Sequence, residues 1–164
     1  LQFVSQQLSQ LYGPLYSLVT TNSAAYAVFQ KTFRNGHTKY DHADPWTEDE
    51  ENVWKVWAEN VFIPSNLRIK TVIEDNAHLV LDGVMPDVFI DMLAHLESSK
   101  IVLPASRQGA MKMGPTMEAL DQFARWPEGF NGYVHESYVR VADEYARLIG
   151  RSRGKHLMAR VQKR

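Results

Sequence analysis

The sequence predicts an all-α domain, an antiparallel bundle of four to five helices kinked at Pro14 and Pro64. Three observations carry that prediction. Apolar residues recur at three- and four-residue steps in one segment after another, which lines a single helix face. No segment sustains the two-residue alternation of a half-buried strand. Glycine, proline and polar clusters separate the periodic segments at intervals that suit short loops. No fixed-period repeat points to a solenoid or propeller.

The first helix is predicted over residues 2–34. Leu8, Leu11, Leu15, Leu18 and Val19 form its stripe, and the run from Ala24 to Phe29 continues it with good helix formers. Gly13 and Pro14 fall inside this pattern. Pro14 lacks a backbone donor and crowds the preceding turn, so a kink or break is expected near Tyr12. Asn35-Gly36 ends the helix, because glycine suits the left-handed cap position. The stretch from His37 to Trp46 reads as a polar loop.

Thr47 opens the second helix. Thr47-Glu48-Asp49-Glu50 fits a capping box, and four consecutive acids suit a positive helix N-terminus. Val53, Trp54, Trp57 and Val61 form its apolar stripe. Pro64 interrupts, and the spacing resumes with Leu67, Ile69, Val72, Ile73 and Leu79. A kinked helix, or two collinear ones over 48–63 and 65–80, is expected. Residues 81–86 read as a turn, with Pro86 at the first helical position of the third helix. Val88, Phe89, Met92, Leu93 and Leu96 carry that helix, and Pro104 is expected to stop it. Residues 106–115 read as a loop, and a shorter helix follows over 116–126. After the turn at Trp126-Pro127-Glu128-Gly129 the last helix runs from Phe130 to Ile149. Tyr133, Val134, Tyr138, Val141, Tyr145 and Leu148 lie on its adjoining faces. Gly150 is expected to end it. Trp46, Trp54, Trp57 and Trp126 read mainly as packing residues, and less strongly as an interface.

The chain of 164 residues suits one compact domain, assigned to 1–150, with a basic C-terminal tail over 151–164. With 45% hydrophobic and 23% charged residues it has a globular composition, which excludes wholesale disorder. The absence of cysteine excludes a disulfide framework, a thiolate metal site and a cysteine nucleophile. No apolar run approaches the ~20 residues of a spanning helix, and no signal peptide precedes the first helix. Residue 1 is Leu, so a fragment or processed product is expected, with a membrane anchor conceivable ahead of it.

The net charge is −1, but it is unevenly placed. Residues 140–164 hold eight basic against two acidic side chains, whereas residues 35–139 hold seventeen acids against eight bases. Such a chain can pair with a second copy or offer its tail to an anionic partner, although cations also simply favour helix C-termini.

Three stretches together suggest a family. They are the run from Gln7 to Leu15, which contains Leu11-Tyr12-Gly13-Pro14-Leu15, the stretch WAENVFIPSN from Trp57 to Asn66, and Met85-Pro86 with the following FIDMLAHL. The Trp126–Phe130 turn fits the same pattern. The chain resembles a family of uncharacterised bacterial helical proteins with an LYGPL motif, often set shortly after an N-terminal membrane helix. The resemblance implies the cytosolic part of a tethered protein. It implies no activity and no functional residues.

Chemistry-bearing residues are sparse. Glu74 and His78 are four apart, and so are Asp91 and His95, a spacing that puts each pair on one helix face. Carboxylate and imidazole groups on facing helices can hold iron, manganese or zinc. The Glu-x-x-His pairs of di-metal bundles are absent, however, and ordinary surface chemistry is the favoured reading. His37, Asp41, His42 and Asp44 form a second ligand-type set, in a loop whose spacing matches no known metal motif. No nucleophile elbow or phosphate loop occurs. Met111, Met113 and Met117 lie beside glycines in a stretch that reads as a surface loop with an apolar anchor. Arg151, Arg153, Lys155, Arg160, Lys163 and Arg164 could engage an anionic partner. Nucleic acid is disfavoured as that partner, because aromatics do not interleave the arginines.

These features favour a non-enzymatic interaction or sensing domain, cytoplasmic and conceivably membrane-associated, that forms a homo-oligomer or binds a partner protein. No cofactor and no catalytic residue is expected. The alternatives are a metal-dependent helical enzyme using His95, Asp91, Glu74 and His78, and a binder of nucleic acid or anionic lipid acting through residues 151–164.

Overall fold

The computed structural model describes residues 1–37, 46–107 and 126–161, with backbone alone at residue 99, residues 101–107 and residues 151–161. Within them the fold is all-α, as the sequence predicts, and no strand occurs among the described residues. Four helices are described.

Helix α1 covers 2–33 as an α-helical segment Gln2–Gln6, a π-helical turn Gln7–Tyr12 and an α-helical segment Gly13–Phe33. Helix α2 covers 48–75 and is built the same way, from Glu48–Trp57, a π-helical turn Ala58–Phe62 and Ile63–Asp75. Short 3-10 turns at Ala77–Leu79 and Leu81–Gly83 lead to α3, Asp87–Arg107, and α4 is Phe130–Val161.

Pro14 and Pro64 each follow a π turn, and neither breaks its helix. Proline cannot donate and its ring crowds the carbonyl four residues back. In each helix the residue before proline donates five residues back instead, Gly13 to the Leu8 carbonyl and Ile63 to the Ala58 carbonyl. The backbone keeps right-handed helical angles through both junctions. The break considered near Tyr12 does not occur, and α2 is one helical run from 48 to 75.

The π turn also alters which side chains face inward. Residues five apart share a side there, so Gln7 and Tyr12 are both buried, with Leu11 between them. Leu8, a member of the predicted stripe, is only partly buried. Beyond the turn the usual spacing returns, with Leu15, Leu18 and Val19 buried. Ile69 and Ile73 of α2, Phe89, Met92 and Leu96 of α3, and Phe130, Val134 and Val141 of α4 complete one core cluster with them.

Contacts along neighbouring helices run in opposite directions. On α1 and α2, Asn22 pairs with Asn66 and Phe29 with Trp54, and Gln7 of α1 reaches Leu79 just beyond α2. On α1 and α4, Tyr16 stacks on Tyr138 at 4.4 Å, while Asn131 donates to the Ser23 hydroxyl at 3.3 Å. On α3 and α4, Phe89 meets Phe130, and His95 meets Trp126 just ahead of α4.

The helix ends follow local chemistry. Asn35 and Gly36 take left-handed angles after α1, and the Gly36 N–H donates back to the Gln30 carbonyl at 3.0 Å. Thr47 caps α2 with the predicted box: its side chain accepts from the Glu50 N–H, while Glu50 accepts from the Thr47 N–H. α2 stops at Asp75, four residues before Leu79, where the Asn76 side chain donates to the Val72 carbonyl. α3 begins at Asp87, one residue after Pro86, and passes Pro104 to reach Arg107. α4 starts at Phe130 as predicted but continues through Gly150 to Val161. The expected stop at Gly150 is therefore wrong: the glycine remains helical, and the backbone of 151–161 continues α4. The helix predicted over 116–126 falls, up to residue 125, outside the described residues. No helix among the described residues is long and apolar enough to cross a membrane.

Candidate functional site

The C-terminal end of α1 and the N-terminal half of α2 converge in an aromatic cluster. Phe29 is its centre and is fully buried. The ring of Phe29 lies 5.0 Å from Trp54, 5.8 Å from Phe33, and 5.9 Å from both Trp46 and Trp57. Tyr26 meets Trp54 and Phe62 edge-on, each at 6.2 Å, and Phe62 stacks against Trp54 at 5.3 Å. The placement follows from helix periodicity. Tyr26, Phe29 and Phe33 recur at three and four residues on α1, and Trp54 and Trp57 do so on α2. Each such pair adds about 0.5–1.5 kcal/mol beyond its buried area.

Arg34 anchors the same end. It follows the last residue of α1, and its side chain is fully buried. Its guanidinium carbon lies 5.0 Å from the Trp46 ring centre, and its Nη1 donates to Glu50 Oε1 at 3.2 Å. The other Glu50 oxygen accepts from the Thr47 backbone N–H at 2.8 Å and from the Thr47 hydroxyl at 3.0 Å. One carboxylate thus joins the end of α1 to the start of α2. The Thr47 N–H, first among these contacts, holds the Glu50 carboxyl below the ordinary glutamate range. The indole N–H of Trp46 is buried in this cluster and has no hydrogen-bond partner among the described residues.

Three apolar side chains on these stretches of α1 and α2 are exposed. Phe33 is 37% exposed, Val28 54% and Val56 59%. Trp46, Trp54 and Trp57 are half-buried, so each keeps a part of its surface in solvent. Partly exposed aromatics are among the residue types enriched where proteins associate.

The opposite end of the α1–α2 pair is polar and closed. Gln7 donates to the Leu79 carbonyl at 2.9 Å, and the Leu81 N–H donates to the Tyr12 hydroxyl at 2.9 Å. Burial pushes the Tyr12 hydroxyl well above its ordinary range, against the lowering effect of the Leu81 N–H and with further help from Tyr133. These groups satisfy a buried connector, which makes their role structural.

The metal ligands considered from sequence are not gathered. His78 sits exposed on the 3-10 turn after α2, because the helix ends before reaching it. Glu74 is exposed and pairs with Lys70, which also reaches Glu97 at 3.3 Å. Asp91 is exposed on α3. His95 is half-buried, its ring 6.0 Å from Trp126. Among the described residues no group of three or more His, Asp or Glu side chains is placed to hold a metal ion. His37 is exposed, while Asp41, His42 and Asp44 lie outside the described residues, as do the methionines at 111, 113 and 117. Of the tail, Arg151, Arg153, Lys155 and Arg160 belong to α4 by backbone, their side chains undescribed, and Lys163 and Arg164 lie outside the described residues. Upstream on α4, Arg140 pairs with Asp82 at 3.2 Å and Arg147 with Glu144.

Sequence reasoning missed Arg34. An arginine beside an Asn-Gly helix end, sixteen residues before a capping-box glutamate, carries no local signal that the two will meet. Comparison with protein-family models, curated proteins and solved structures finds no match to this chain.

Proposed function

We propose that this chain is a non-enzymatic helical interaction or sensing domain that associates through the aromatic end of α1 and α2, with a second copy of itself as the first partner to test. The supporting observation is the tryptophan-rich cluster, with Phe33 exposed at its edge and Val28 and Val56 exposed on the same two helices. Aromatic side chains offer large contact area, and the pairing of buried Arg34 with partly exposed Glu50 holds their backbone in place before any partner arrives. In this reading the domain acts in the cytoplasm, and the LYGPL resemblance adds a membrane anchor ahead of it.

Sedimentation equilibrium over a wide concentration range tests the reading. The expected result is a defined oligomer that Val56→Glu converts to a monomer with unchanged helicity. Val56 is largely exposed, so the substitution leaves the core intact. A wild-type chain that stays monomeric throughout overturns self-association, and an oligomer indifferent to Val56→Glu and Val28→Glu overturns the assignment to this end.

A further inference from the structure

We draw no further inference here: the strongest candidate, the basic outer face of α4 running from Arg140 towards its C-terminal end, carries nothing, because Arg140 and Arg147 are each paired with a carboxylate and the remaining basic side chains of that helix lie outside the described residues.

Discussion

The Gly13 N–H donates to the carbonyl of Leu8, five residues back, and a Cβ built on Gly13 would stand 2.4 Å from that oxygen. A non-bonded Cβ does not sit that close to a backbone oxygen, and the oxygen belongs to the hydrogen bond that closes the π turn. The glycine of the LYGPL stretch is therefore required by the helix that contains it.

Replacing Gly13 with alanine reverses the usual rule. Within a helix, glycine to alanine ordinarily stabilises by about 0.5–1 kcal/mol. At Gly13 the clash should instead cost on the order of 2 kcal/mol, within the common range for steric strain. Gly150 is the control: it is exposed, helical, and nothing lies within 4 Å of its added Cβ. Gly150→Ala should stabilise the protein, and urea unfolding should give shifts of opposite sign for the two variants. A shift of the same sign would place one of these glycines in the wrong conformation.

Thr47→Ala removes the acceptor for the Glu50 N–H and should cost about 1 kcal/mol. Thr47→Ser keeps the hydroxyl and should recover most of that loss. Thermal unfolding of the three proteins reads the difference, and an alanine variant equal to wild type would move the start of α2 away from Thr47.

Glu50 gives stability an acid limb. Its carboxyl is held below 4.5, the ordinary value, by the Thr47 N–H first and by Arg34 among the lesser contacts. A depressed folded-state value means the unfolded chain takes up protons first as pH falls. The contribution is thus complete above the ordinary glutamate value and is lost as pH drops through the folded value. Glu50→Gln should lower stability at neutral pH and flatten the decline expected of wild type as pH falls below the ordinary glutamate value. An unchanged slope would mean that Glu50 is not the titrating group.

Core truncations should rank by burial. Phe29 and Phe89 are fully buried, and alanine at either should cost about 3–5 kcal/mol. Leu93 is only partly buried at the edge of the core, so Leu93→Ala should fall below that range. Trp57 is likewise half-buried, which makes Trp57→Ala a smaller loss than its size suggests. Chemical denaturation of the four variants checks the order.

The all-α class, the α1 cap at Gly36, the Thr47 box and the start of α4 were legible in sequence because each depends on a few adjacent residues. The buried faces of α3 and α4 were legible because regular helices keep their 3.6-residue period. Gln7 and Tyr12 were not, since a π turn spaces its inward residues by five and period counting assumes three or four. Pro104 and Gly150 misled because helix propensity is a weak prior, about 1 kcal/mol for glycine and about 3 kcal/mol for proline. The metal hypothesis relied on His78 sharing a helix with Glu74, and α2 ends between them. The aromatic end was half legible. Its tryptophans stood out, but the meeting of Trp46 with Arg34 joins the residue after α1 to one just ahead of α2, which no local pattern encodes.

The connector between α2 and α3 is pinned at two points by one turn of α1, through the Leu79 carbonyl and the Leu81 N–H. Surface loops ordinarily accept insertions and deletions with little penalty. Here the two anchor points lie two residues apart and Val80 between them is buried, so an added residue would break one anchor or push Val80 outward. Residues 79–81 therefore form a segment whose length is fixed by its backbone contacts, and an affinity tag or reporter domain placed there should abolish folding.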